Sequence, residues 1–164
     1  MNQSLNKDKI VVIDFGSQVT KLIARRIREY SVLSEILTLK DLKKKNMFHN
    51  VKGIILSGGP STVTKNLFPK LPNKIFNLNI PILGICYGLQ LITKQFKGKV
   101  KPNIKKREFG RAILIKKKKS LLTKNFFNQK KPVVWMSHQD SVYKLPIGFS
   151  KIASTRQSEM TIIE

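Results

Sequence analysis

Apolar residues in this chain gather into short unbroken runs, separated by stretches that repeat at three- and four-residue steps, the alternation expected of a parallel α/β sheet. Lys9-Ile10-Val11-Val12-Ile13-Asp14 is short and β-branched, as a strand covered on both faces would be. Phe15-Gly16-Ser17-Gln18 makes a turn, and Val19 to Tyr30 predicts a helix. Its apolar stripe is Val19, Leu22, Ile23, Ile27 and Tyr30, with Arg25, Arg26 and Arg28 mostly elsewhere on the wheel. Val32 to Leu39 predicts a second strand, and Lys40 to Asn46 a short polar helix or loop. Gly53 to Ser57 predicts a third strand, stopped by Gly58-Gly59-Pro60, and Lys70 to Asn77 suits a helix. Pro81 to Ile85 predicts a fourth strand that runs straight into Cys86. Tyr87 to Phe96 then predicts a helix with Leu89, Ile92 and Phe96 on one side. Beyond Gly98 the pattern becomes strand-rich, at Ala112 to Ile115, Val133 to Met136, Lys151 to Ala153 and Met160 to Ile163. No internal repeat or domain linker stands out. The expectation is one α/β domain over residues 1–164, an open and mostly parallel sheet flanked by helices.

Composition agrees with a folded domain. A chain of 164 residues with 41% hydrophobic content can bury a real core. No apolar stretch approaches the roughly 18 residues of a membrane span, and Met1 to Lys9 lacks the apolar stretch of a signal peptide. A soluble cytoplasmic protein with no membrane partner is therefore expected. The single cysteine excludes an internal disulfide framework and a multi-cysteine metal site, so no metal is expected. The net charge of +23 invites a nucleic-acid reading, because basic patches bind phosphate backbones. But 26 of the 32 basic residues are Lys, scattered from Lys7 to Lys151. The runs Lys43-Lys44-Lys45, Lys105-Lys106-Arg107 and Lys116-Lys117-Lys118-Lys119 carry few aromatics and read as solvated faces. Lys, Asn and Ile all have A/T-rich codons, so genome composition accounts for much of this charge.

The chemistry centres on Gly84-Ile85-Cys86-Tyr87-Gly88, a cysteine between two glycines where an apolar strand meets a helix. That is the nucleophile-elbow arrangement with Cys in place of Ser. A sharp strand-to-helix turn holds the nucleophile in a strained conformation, and its flanks must be small for the turn to close. The helix N-terminus offers N–H groups and a positive dipole end to a thiolate and then to an oxyanion. The competing reading is a small buried hydrophobe, the usual fate of a lone cysteine. Ser57-Gly58-Gly59-Pro60 ends the preceding strand and so shares the carboxyl edge of a parallel sheet, where ligands bind. Paired glycines there let backbone N–H groups approach a substrate, although Gly-Gly-Pro is also an ordinary strand-ending turn.

With these elements in order, the chain resembles the class I (triad) glutamine amidotransferases, and within them the GMP synthase branch. The stretches that carry this are Val12 to Gln18, Ile54 to Ser61, Gly84 to Gln90, Arg107-Glu108-Phe109-Gly110 and Trp135-Met136-Ser137-His138-Gln139-Asp140-Ser141-Val142. The nucleophile motif defines only the class, and the Asp-Phe-Gly-Ser-Gln, Arg-Glu-Phe-Gly and Trp-Met-Ser-His stretches narrow it. The resemblance runs from about Lys9 to the last residue and implies a flavodoxin-like fold lacking its C-terminal end. It implies that Cys86 attacks the side-chain amide of glutamine to form a γ-glutamyl thioester. The backbone N–H groups of Gly59 and Tyr87 would form the oxyanion hole. Gly58, Gln90, Ser137, His138 and Gln139 would bind substrate, the last three largely through backbone. Ammonia would pass to a synthetase (ATP-pyrophosphatase) module, fused or separate, which aminates XMP to GMP. This domain would need no cofactor of its own, while that module would use ATP and Mg. The full enzyme would be a homodimer.

The sequence departs from the family at its general base, a His followed by Pro and Glu. His49 and His138 are the only histidines and neither precedes Pro-Glu; His49 reads as a surface residue, and His138 matches the substrate-side segment. The family's catalytic His and Glu are thus expected to be missing from the chain, as are the synthetase and dimerisation domains. A thiol without its base deacylates slowly, so little glutaminase activity is expected from the chain alone. A domain cut short would also expose a sheet edge and an apolar face, giving poor solubility or oligomers. The alternatives are a catalytically dead amidotransferase-like binding module and a basic nucleic-acid-binding domain.

Overall fold

The computed structural model describes residues 7–65, 67–102, 108–128 and 131–164. The opening apolar run forms β1 (Lys9–Asp14), which lies between β2 (Leu33–Thr38) and β3 (Val51–Leu56). β4 (Ile82–Gly84) pairs outside β3, so the order is β2-β1-β3-β4 and every pairing is parallel. Val11, Val12 and Ile13 of β1 have no exposure at all, since a central strand covered on both faces leaves none to solvent. Leu37, Ile54 and Leu56 join them in the core, each side chain contributing about 1.5–3 kcal/mol on burial. The order reverses between β1 and β3, the switch point at which flavodoxin-like sheets open a ligand crevice at the carboxyl ends of their strands.

α1 (Thr20–Glu29) follows β1 through a turn built on one carboxylate. Asp14 Oδ1 accepts hydrogen bonds from Gly16 N–H at 2.9 Å, Ser17 N–H at 3.3 Å and Thr20 Oγ1 at 2.7 Å. Gly16 sits at φ +88°, which only glycine adopts without strain. The face that α1 buries is not the stripe the sequence predicts. Thr20 and Ala24 are buried and Ile23 and Ile27 half-buried, while Val19, Leu22 and Tyr30 are exposed. Small residues let the helix approach the sheet closely, and Ser34 of β2 donates to the Ala24 carbonyl at 2.8 Å. Of the two weaker helical segments, each keeps only a short 3₁₀ piece, Asp41–Lys43 and Asn73–Asn77.

The described residues fall into two compact units, and the boundary between Leu91 and Ile92 lies inside α2 (Tyr87–Gln95). Tyr87, Gln90, Leu91, Ile92 and Thr93 are all buried, whereas Leu89 is half-buried and Phe96 exposed. No one-sided stripe describes a helix enclosed around most of its circumference, so the predicted Leu89–Ile92–Phe96 face is corrected. The second unit is antiparallel. β5 (Lys99–Pro102) pairs with β9 (Asp140–Lys144), and β6 (Glu108–Ile113) with β8 (Val133–His138). β10 (Lys151–Ser154) lies between β7 (Ile115–Lys116) and β11 (Ile162–Ile163). The strand predicted over Ala112 to Ile115 starts earlier, at Glu108, and breaks at Leu114, whose N–H donates to the Pro132 carbonyl.

Candidate functional site

Cys86 sits between β4 and α2 at φ +50°, a left-handed conformation that costs a non-glycine residue of order 1 kcal/mol. The surrounding backbone leaves little choice. Ile85 N–H donates to the Leu56 carbonyl at 2.9 Å, and Gly88 N–H donates to the Ile85 carbonyl at 2.9 Å and the Ser57 carbonyl at 3.2 Å. Gln90 N–H donates to the Cys86 carbonyl at 3.1 Å and starts the helix. A Cβ on Gly84 would lie 2.6 Å from Gly88 C and Leu89 N, and one on Gly88 would strike the Leu56 carbonyl oxygen. Both glycines are therefore required by close backbone approach, as a tight elbow demands.

The loop after β3 reaches the same place. A Cβ on Gly58 would stand 3.5 Å from Cys86 Cβ and 3.6 Å from Ser17 Oγ, so the Gly58 backbone borders the cysteine. Gly59 is pressed against Phe15, whose carbonyl oxygen would be 2.5 Å from an added Cβ. The Phe15 ring in turn lies 5.1 Å from that of Tyr87. Neither Gly59 N–H nor Tyr87 N–H donates to an acceptor among the described residues. Two residues to which the sequence alone assigns no role organise this corner. Fully buried Ser57 accepts from Phe15 N–H at 3.0 Å and donates to the Gly58 carbonyl at 2.8 Å. Asp14 shapes the turn that carries Ser17. The signal for Ser57 is a lone hydroxyl closing an apolar run.

Burial pushes the Cys86 thiol up from its ordinary range, against the pull of the α2 N-terminus toward the thiolate. Burial also pushes the Tyr87 phenol up to about 12, and its hydroxyl donates to the Pro69 carbonyl at 2.6 Å. Gln90, one helical turn beyond Cys86, is 8% exposed. Among the described residues no group of three or more His, Cys, Asp and Glu could hold a metal, and no helix is long and apolar enough to cross a membrane.

The other expected substrate residues belong to the second unit. Ser137 and His138 close β8 and Gln139 follows; Ser137 and Gln139 are exposed, and His138 is half-buried opposite Glu108 in the β6–β8 register. Glu108, Phe109 and Gly110 begin β6, while Arg107 and the rest of the Lys105-Lys106-Arg107 run lie outside the described residues. His49 is exposed in the turn before β3, on the surface as expected.

Comparisons with known proteins agree with this geometry. A profile of the family described as glutamine amidotransferase class-I matches residues 11–164. The chain is 50% identical over 160 residues to the glutamine-hydrolysing GMP synthase of a Prochlorococcus marinus strain, covering 94% of this chain and 30% of that protein. It is 44% identical over 163 residues to that of Brachyspira hyodysenteriae, covering 97% of this chain and 30% of that protein. The chain thus spans about 30% of the length of these curated relatives. Among solved structures, a Thermoplasma acidophilum protein assigned as one of the GMP synthase subunits superposes with a TM-score of 0.76 at 28% identity, covering 96% of this chain and 78% of that one. A glutamine amidotransferase from Thermotoga maritima shares the fold, with a TM-score of 0.72 at 19% identity over 96% of this chain and 74% of that one.

Proposed function

The chain belongs to the class-I glutamine amidotransferase family, and from that premise we propose that it supplies the glutaminase half of a GMP synthase. Cys86 Sγ, as thiolate, attacks the side-chain amide carbon of glutamine. The C–N bond breaks, ammonia leaves with an added proton, and a γ-glutamyl thioester remains for water to hydrolyse to glutamate. The N–H groups of Gly59 and Tyr87 hold the oxygen as it becomes negative, with the Gly58 backbone beside them. Gln90 and the Ser137-His138-Gln139 segment hold the amino-acid end of the substrate. The general base is supplied from outside this sequence, since neither His49 nor His138 precedes Pro-Glu. The ammonia aminates XMP in a synthetase module that uses ATP and Mg, fused or separate, and the full enzyme is a cytoplasmic homodimer. Residues 1–164 are then part of one amidotransferase domain.

The observation that carries the reading is Cys86 at φ +50°, bordered by Gly58 and wedged between two glycines that tolerate no side chain. Its test is mass spectrometry after incubation with a diazo-ketone analogue of glutamine. One adduct at Cys86, blocked by glutamine, is the expected result. Labelling that glutamine does not block, or none at all, would sink the glutaminase reading for this chain.

A further inference from the structure

Glu108 is a carboxylate at 6% exposure with no part in the chemistry above. It opens β6 and faces His138, its register partner at the end of β8. Its Oε2 lies 3.7 Å from His138 Nε2 and accepts a hydrogen bond from Thr155 Oγ1 at 3.0 Å. Thr155 follows β10, and its Oγ1 also accepts N–H groups of Gln157 at 3.3 Å and Ser158 at 2.9 Å, so that hydroxyl anchors a turn. One carboxylate therefore ties together the start of β6, the end of β8 and the turn after β10.

His138 shows what this does to the ring. Its Nδ1 is buried and has no hydrogen-bond partner among the described residues. A proton on Nδ1 would be a buried donor with nothing to receive it, and it would leave the Nε2 lone pair facing a carboxylate. A proton on Nε2 instead faces that carboxylate and leaves only an unused acceptor at Nδ1.

We propose that Glu108 is a positioning residue for glutamine: it holds the His138 ring in its Nε2-protonated form and thereby fixes the Ser137-His138-Gln139 backbone. The inference rests on the reading that this segment holds the amino-acid end of glutamine. It gives the Arg-Glu-Phe-Gly stretch a physical task, through its second residue.

The test uses the full chain in two measurements. Long-range proton–nitrogen NMR reads the His138 ring, with H49Q identifying which of the two histidines is observed. Glutamine protection of Cys86 against a small neutral alkylating reagent, which needs no glutamine site of its own, reads binding. In wild type, Nε2 is expected to carry the proton. Glu108→Met removes the carboxylate at similar volume, so the ring becomes a tautomer mixture. The half-protecting glutamine concentration should then rise about tenfold, the loss of one charge-assisted contact, with the unprotected labelling rate unchanged. Should E108M not fold, Thr155→Val, which removes only the hydroxyl, carries both readouts, with Thr155→Ser restoring them. A folded variant with unchanged protection overturns the proposal, whether or not the ring changes. Wild-type labelling that glutamine never blocks sinks the glutaminase reading and this inference with it. Protection in wild type that is equal in the variants sinks the inference alone.

Discussion

At Cys86 two demands oppose each other. The left-handed backbone presents the thiol at the sheet edge, and the helix N-terminus behind it favours the thiolate. Burial favours the neutral thiol and raises its pKa. The sign follows directly. A group whose folded pKa is raised contributes its stability below its ordinary pKa and loses it as pH climbs through the folded value. Alkylation of Cys86 by a small neutral reagent should therefore rise only in the alkaline range, with a midpoint above that of an unstructured thiol. Folding stability should weaken over the same window. A rate already level at neutral pH would mean that the thiolate is stabilised within this chain, and that no outside base is needed to activate it. The cysteine itself is legible in sequence, because the glycine spacing around it encodes a backbone constraint. Its raised pKa is not, because burial depends on neighbours far along the chain.

Among the elements, legibility follows how far local pattern decides structure. β1 is readable to the residue, since a buried central strand needs an unbroken β-branched run. β5 and β9 are not, because Lys99-Val100-Lys101-Pro102 and Asp140 to Lys144 have little apolar signal and become strands by pairing with each other. The α1 stripe differs from its sequence pattern because two interleaved rows of that helix are partly apolar, and close packing selects the row containing Thr20 and Ala24. Asp14 reads in sequence as the last residue of a strand, yet it receives three hydrogen bonds and fixes how α1 begins. Replacing it with Ala should cost about 1–2 kcal/mol, as loss of a helix-capping side chain does. Urea unfolding would show this as a lower midpoint at unchanged slope. Because Ser17 lies beside Gly58, Asp14→Ala should also slow Cys86 labelling. A variant as stable as wild type would show that the turn is set by Gly16 and the strand pairings instead.

For the molecule as a whole, the dominant quantity is charge. Thirty-two basic residues face nine acidic ones, so even complete pairing would leave 23 cations with no acid of their own. Lys43, Lys44 and Lys45 are exposed, and so is every residue from Lys116 to Lys119, as the solvated-face reading expects. Ion pairs among the described residues lie mostly at the surface, such as Arg25–Glu29 and Lys151–Glu159, where a pair adds about 0–1 kcal/mol. Net repulsion among the remaining cations should then outweigh local attraction and oppose folding. Salt decides the matter, because raising ionic strength from about 0.01 M to about 0.15 M shortens the screening length from about 30 Å to about 8 Å. Repulsion spread over the surface is screened strongly by that change, while close pairs such as Lys44–Asp41 are screened less. The melting temperature should therefore rise with sodium chloride over this range and then level off. Calorimetry in chloride alone checks it, since chloride separates screening from tighter binding by multivalent anions. A melting temperature that falls with salt would mean that attractive pairs dominate and the excess charge is tolerated. A rise seen with phosphate but not with chloride would point instead to an anion held at a defined basic site, and would return weight to a polyanion-binding role for these lysines.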